Sequence, residues 1–209
     1  IFGYIIRQLE YSMPEKSRNT LYRILYQYLA TKCRKEGLLF WNFGFADIIP
    51  EGKKLVLDGP DEKYRYCIQL YDHVTSVVSL EGKDILDVSC GCGGGSYFIM
   101  KYHRPRSVIG LDLSRKAIDF CNSHYSIPGL SFCCGKAESL PFENNKFDVA
   151  INIESSHCYG NMKHFLEEVE RTLRPNGYFL IADIRHKDKI YPFYEHLRRS
   201  GLKFIREEV

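Results

Sequence analysis

The chain has 209 residues, of which 44% are apolar and 26% charged, with a formal net charge of +3. That is the composition of one globular domain with a small appended piece. A charge this mild, with no dense Lys/Arg stripe, gives no footprint for nucleic acid, and no apolar run approaches the roughly 20 residues of a membrane span. The first residues, Ile1 to Arg7, lack an initiator Met and a signal-peptide layout, so the chain reads as part of a longer protein.

Residues 1–80 read as a helical and aromatic segment lying over the edge of a site as a lid. Asn19 to Ala30 forms an amphipathic pattern crowded with Tyr22, Leu25, Tyr26 and Tyr28, and Asp61 to Val78 a second with Tyr64, Cys67, Ile68, Tyr71, Val74 and Val78 on one face. Between them lies Phe40-Trp41-Asn42-Phe43-Gly44-Phe45. These aromatics are expected to pack on a sheet, with peripheral membrane contact as the rival use because Arg23, Lys32, Arg34 and Lys35 lie nearby.

From residue 81 to 209, short apolar runs alternate with helical patterns. Ile85–Val88, Ser107–Leu111, Leu130–Cys134, Phe147–Ile151 and Tyr178–Ala182 read as strands, and Leu202–Val209 as a sixth. Helices fall at Ser96–Tyr102, after the N-cap Ser114 to about His124, along the stripe Phe165, Leu166, Val169 and Leu173, which Pro175-Asn176-Gly177 ends, and at Pro192–Arg199. The pattern predicts an α/β fold with a doubly wound, mostly parallel sheet, whose ligands bind outside the carboxyl ends of the strands.

The most informative stretch is Lys83 to Ser96, where a strand ending near Asp87 runs into Gly91, Gly93, Gly94 and Gly95 and then a helix start. Such a turn brings a ligand against bare backbone amides at a helix N-terminus. Asp112 ends the second strand 21 residues after Gly91, where a carboxylate accepts from both ribose hydroxyls of an adenosine. A dinucleotide and S-adenosylmethionine (SAM) satisfy this arrangement equally.

The order downstream separates them: G-K-A-E-S-L-P-F from Gly135, K-F-D-V-A-I-N from Lys146, then L-R-P-N-G-Y from Leu173. With these segments the chain resembles the class I SAM-dependent methyltransferases from about Glu81 to Asp183. The turn D-V-S-C-G-C-G-G-G, the run I-E-S-S-H-C-Y from Ile153 and the upstream F-W-N-F-G-F-A-D are similar to the phthiotriolone/phenolphthiotriolone dimycocerosate methyltransferases. The resemblance implies SAM as cofactor, S-adenosylhomocysteine (SAH) as product and a hydroxylated small-molecule, lipid or polyketide acceptor. It implies that Asp87, Gly91 and Gly93 surround the methionine part of SAM, with Ser89 at the position of the family's first motif glycine. Asp112 would hold the ribose, Leu113 the adenine face, Ala137 and Glu138 the adenine edge, and Asn152 the floor. One departure stands out: Lys136 occupies the place of an acid that accepts from the adenine amino group, and a lysine ammonium accepts nothing. Related enzymes also continue into further helices and a seventh strand, so the core is expected to be truncated at its C-terminus.

Methyl transfer from a sulfonium is an in-line displacement, so the protein positions two reactants and deprotonates a weak nucleophile. His157, just past the fourth strand, is the candidate base, Asp183 at the end of the fifth its orienting partner, and Glu154 the rival base. Sugar O-methyltransferases of similar sequence use such a His and Asp pair, as the resemblance implies. Cys158 receives no nucleophilic role, since no covalent intermediate is needed. A C-methyltransferase acting on a sterol or quinone, a catalytically inactive SAM-fold binding protein and a dinucleotide oxidoreductase are the alternatives. The eight cysteines, Cys33, Cys67, Cys90, Cys92, Cys121, Cys133, Cys134 and Cys158, form no C-x-x-C pair and no metal-ligand spacing. They read as free thiols of a cytoplasmic protein.

Overall fold

A computed structural model describes residues 15–46 and 55–208. Residues 1–14 and 47–54 of the expected lid, and Val209 of the expected sixth strand, lie outside the described residues. In chain order the elements are helix α1 (Glu15–Glu36), a 3-10 turn (Gly59–Tyr64), α2 (Arg65–Thr75), strand β1 (Asp84–Val88), α3 (Gly94–His103), β2 (Ser107–Asp112), α4 (Arg115–His124) and β3 (Leu130–Cys134). They continue with β4 (Phe147–Ile153), a short 3-10 turn (Ser156–Cys158), α5 (Met162–Thr172), β5 (Leu173–Ala182) and α6 (Lys187–Arg199).

The five strands form one sheet in the order β3-β2-β1-β4-β5, every neighbouring pair parallel. Parallel pairing needs crossover helices, which cover both faces, so the central strands read as unbroken apolar runs. Alternation along β1 sends Ile85 to one layer with Phe98, Ile99, Val108, Val149 and Ile151. Leu86 and Val88 go to the other, with Leu111, Ala150, Phe165, Leu166 and Val169. The strand order reverses between β1 and β4, and the crevice beyond their carboxyl ends is where such sheets take ligands.

Local chemistry sets the helix ends. The Ser114 side chain accepts from the Ala117 amide (3.3 Å) to start α4, as an N-cap serine should. Gly37, at φ +64°, follows the last turn of α1 in the left-handed position that favours glycine. On α1, Tyr22, Ala30 and Cys33 are buried on the inner face. Cys33, Ala30, Cys90, Cys92, Ala117, Ile118 and Phe120 belong to one packed cluster, which ties α1 to α4 and the glycine turn.

Four expectations are corrected. The described residues 202–208 form no strand. Phe204 and Ile205 are 57% and 73% exposed, so this segment lacks the burial and the neighbour that a strand requires. β5 starts at Leu173 rather than Tyr178, because Leu173 already pairs with Phe147 and residues 174–177 bulge out before pairing resumes at Val149↔Tyr178. The helix expected from Asp61 to Val78 is a 3-10 turn followed by the shorter α2. Cys33 and Cys92 are joined in a disulfide, with Cα atoms 6.3 Å apart. That geometry suits a bridge, but only the packing of α1 on the glycine turn brings together residues 59 apart. In the aromatic segment, Phe40 is buried and Trp41 half-buried, whereas Phe43 is 71% exposed. Among the described residues no helix is long and apolar enough to cross a membrane.

Candidate active site

The turn after β1 bends through three left-handed residues, Ser89 (φ +62°), Gly91 (φ +56°) and Gly93 (φ +77°). Gly91 and Gly93 have a second reason to be glycine. A Cβ on Gly91 would stand 2.9 Å from the Trp41 indole, and one on Gly93 2.8 Å from the Phe132 and Tyr125 rings. Ser89 takes the same backbone conformation with a side chain, a costly state for an L-residue; its hydroxyl is hydrogen-bonded to the Tyr159 hydroxyl at 2.7 Å.

Asp87 is fully buried behind this turn and accepts from the Ser96 hydroxyl at 2.6 Å. Burial lifts its carboxyl to about 7, and the neighbouring Asp112 adds to the rise. Its Oδ1 is buried without a partner. Asp112 is also raised by burial. Its two oxygens are divided between the strand-end amides: Oδ2 accepts from Gly91 N (3.0 Å) and Oδ1 from Ser114 N (2.7 Å). Each carboxylate oxygen accepts more than one donor, so both keep capacity toward the cavity that Asp112 lines.

That cavity has a volume of about 360 Å³. Ser89, Gly91, Asp112, Leu113, Ala137 and Glu138 line one part, with Lys136 beside them; Tyr22, Tyr26, Trp41, Glu154 and Cys158 line the other. Leu113 presents an apolar shelf that is 47% exposed. Glu138 accepts from the Gly160 amide at 3.0 Å and so ties this wall to the loop after β4. These features fit an adenosine with an attached amino-acid tail: a carboxylate for ribose, a shelf for a flat base and a turn that no Cβ would fit.

Gly93, Asp87 and Asn152 stand behind the wall rather than in it. The Asn152 amide is buried, and its two N–H bonds are shared among Val88 O (3.1 Å), the Ser155 hydroxyl (2.8 Å) and the Tyr159 hydroxyl (2.8 Å). It thereby holds the ends of β1 and β4 and the following loop in register.

His157 and Asp183 come together. His157 Nδ1 lies 2.6 Å from Asp183 Oδ1, and its backbone amide donates to Asp183 Oδ2 at 2.9 Å. The Asp183 carboxylate, 3% exposed, is also hydrogen-bonded by the Ser156 hydroxyl, by Ile184 N and by Arg185. Burial disfavours the imidazolium, but the Asp183 hydrogen bond and Cys158 outweigh it and raise His157 to about 10. Asp183 is lowered: burial opposes its charge, and His157, Ser156 and Arg185 outweigh that. The His157 ring is not itself a cavity wall; its neighbours Cys158 and Tyr22 are, the latter with its ring edge-on at 6.2 Å. Glu154 lies in the wall at φ +47°, and one of its oxygens accepts from Phe43 N at 2.9 Å. It thus clasps the aromatic segment to the end of β4.

Sequence reasoning missed Arg185, whose guanidinium stacks on Phe193 at 4.0 Å. Its spacing two residues after Asp183 was the only available signal. It also missed that Tyr22, Tyr26 and Trp41 form the cavity wall; they were visible only as helical and aromatic patterning.

A parallel sheet of this order, with a glycine turn after β1 and an acid at the end of β2, is the arrangement of α/β folds that bind nucleosides at the carboxyl ends of their strands. Residues 86–181 match the family described as Methyltransferase domain. The fatty-acid O-methyltransferase of Mycolicibacterium smegmatis is 37% identical over 88% of this chain and 67% of its own length. The phthiotriol/phenolphthiotriol dimycocerosates methyltransferase of Mycobacterium leprae is 41% identical over 90% of this chain and 68% of its own. Among solved structures, the [4+2]-cyclase SpnF superposes with a TM-score of 0.68 at 18% identity, over 88% of this chain and 70% of that one, a likeness of fold. The chain belongs to the SAM-dependent methyltransferases.

Proposed function

We propose that the chain transfers the methyl group of SAM to an oxygen of a lipid or other apolar acceptor, with His157 as general base. SAM supplies an electrophilic methyl carbon and a sulfonium leaving group. Asp112 holds the ribose hydroxyls, Leu113 carries the adenine, Ala137 and Glu138 border its edge, and the Ser89–Gly91 part of the turn faces the amino-acid tail, with Asp87 supporting that turn from behind. The observation that carries the reading is the 2.6 Å contact between His157 Nδ1 and Asp183 Oδ1 beside an aromatic-walled cavity that ends on Asp112. The carboxylate orients the ring with a proton on Nδ1 and holds the imidazolium up to about 10, so Nε2 serves as base in the neutral fraction, which grows as pH rises toward that value. Tyr22, Tyr26 and Trp41 offer faces for an acyl or polyketide chain. This makes α1 and the segment 39–45 the lid of the site.

Lipid acceptors also suit the outer side of α1, where Ile24 and Tyr28 are 62% and 53% exposed on the helix that carries Lys32 and Lys35; peripheral contact with a lipid surface is the expected mode of access. The test is calorimetric titration with SAH, followed by incubation with SAM and a long-chain alcohol, the fatty acid of the same length, a sterol and a quinone, with products read by mass. A methyl ether or ester supports the reading, and a new carbon–carbon bond supports C-methylation. SAH binding without any transfer identifies a binding protein.

A further inference from the structure

Ser89 stands in the turn after β1 at φ +62°, a conformation that glycine takes freely and other L-residues only at a cost. Its neighbours are anchored through other groups. Val88 O accepts from the Asn152 amide (3.1 Å), Cys90 N donates to Leu111 O (3.0 Å) and Gly91 N donates to Asp112 (3.0 Å). Among the described residues the Ser89 side chain makes one hydrogen bond, the 2.7 Å contact with the Tyr159 hydroxyl, across a separation of 70 residues. Tyr159 is itself fixed: its ring stands edge-on against the buried Phe165 at 4.7 Å. Its oxygen lies 2.8 Å from the Asn152 amide nitrogen and 3.1 Å from the Ser155 hydroxyl. Burial lifts the phenol above its ordinary value against the hydrogen bonds from Ser155, Ser89 and Asn152, so it keeps its proton.

We propose that Tyr159 is a positioning residue of the cofactor site: its hydroxyl donates to Ser89 Oγ and holds Ser89 in the left-handed conformation that gives the turn its binding shape. The proposal rests on the reading of this turn as the SAM site. A glycine at position 89, as in the family's motif, would keep that shape unaided. The serine needs a partner, and the partner comes from the loop after β4. That loop carries His157, and Gly160 at its end donates to Glu138 on the adenine side at 3.0 Å. Tyr159 and Gly160 therefore fasten one loop to both ends of the cofactor cleft. The turn that receives the cofactor and the loop that bears the candidate base are set against each other by these two hydrogen bonds.

Tyr159→Phe isolates the contact. The ring keeps its place on Phe165, and the two Asn152 N–H bonds still have Val88 O and the Ser155 hydroxyl as acceptors. What is lost is the hold on Ser89. Combined with Ser89→Gly, the same substitution removes nothing that the turn needs, because glycine adopts a positive φ without support. Ser89→Ala and Ser89→Gly both lack the hydroxyl and differ only in backbone cost, so their comparison separates the shape of the turn from any direct contact of Ser89 Oγ with the cofactor.

The experiment is a double-mutant cycle on the full chain with two readouts: SAH affinity by calorimetry, and amide hydrogen exchange of the turn from Cys90 to Gly93 without ligand. Tyr159→Phe weakens SAH binding about tenfold and speeds exchange in the turn by a similar factor. Added to Ser89→Gly, it changes either quantity by less than about threefold. Ser89→Ala binds SAH about tenfold more weakly than Ser89→Gly, and this comparison decides the matter if Tyr159→Phe does not fold. The positioning role is overturned if Tyr159→Phe costs the same with and without Ser89→Gly, which makes Tyr159 a plain support of its loop. It is likewise overturned if Ser89→Ala and Ser89→Gly bind SAH alike. A wild-type chain that binds no SAH, while exchange follows the cycle, keeps Tyr159 as the residue that shapes the turn and sinks the SAM reading.

Discussion

Asp112 carries two loads that one substitution separates. Its oxygens accept from Gly91 N at 3.0 Å and Ser114 N at 2.7 Å, and the residue is only 7% exposed. Asp112→Ala leaves two amides without their acceptor in a buried place. At about 1–3 kcal/mol for each, folding stability falls by about 2–6 kcal/mol. The same change removes the acceptor proposed for two ribose hydroxyls. Hydrogen bonds to a charged group contribute about 1.5–3 kcal/mol each, so SAH affinity drops by about 10²–10⁴-fold. Asp112→Asn divides the two effects: its one carbonyl oxygen still serves one amide, while its NH₂ faces the other donors. Stability then falls less than in the Ala variant, and SAH binding still falls at least tenfold. Denaturant unfolding gives the first number and calorimetric titration the second. A folded Asp112→Ala protein that binds SAH within about threefold of the wild type refutes the ribose role.

Asp183→Asn should bring His157 down from about 10 toward its ordinary 6.5, as an imidazole NMR titration would show. Because the folded-state value is the raised one, the pair's contribution to stability is complete below about 6.5 and is lost as pH rises through about 10. The stability gap between wild type and variant is therefore widest near pH 6 and closes toward pH 10, and a gap that widens with pH contradicts the assignment. Reducing the Cys33–Cys92 bridge, or changing Cys33 to Ser, frees a loop set by a separation of 59 residues and should cost about 4 kcal/mol of stability. Denaturant curves with and without dithiothreitol test this. Lys136→Asp restores an acceptor for the adenine amino group and should tighten SAH binding by about tenfold or more; unchanged affinity in calorimetry would place the adenine edge elsewhere.

Much of the fold was legible in the sequence because buried parallel strands are written as short apolar runs, and Ile85–Val88 and Phe147–Ile151 are such runs. The glycine turn and Asp112 were legible because positive φ angles and a strand-end acid are local demands on residue type. The His157–Asp183 pair could be named as a candidate, but its distance could not, since residues 157 and 183 meet only when β4 and β5 lie side by side. Leu202–Val209 has an apolar start that reads as a strand, and pairing rather than propensity decided against it over the described residues.

By itself, then, the sequence determined the alternation of strands and helices, the glycine-rich turn and the chemical types of the candidate site residues, all properties set by neighbours along the chain. Tertiary structure alone decided that Cys33 bonds Cys92, that Glu154 is tied to Phe43, that His157 meets Asp183, and that Cys158 rather than His157 faces the cavity between α1 and the strand ends. Each of these depends on groups that approach from separate elements, and the approach is set by packing over the sheet, which no local pattern encodes.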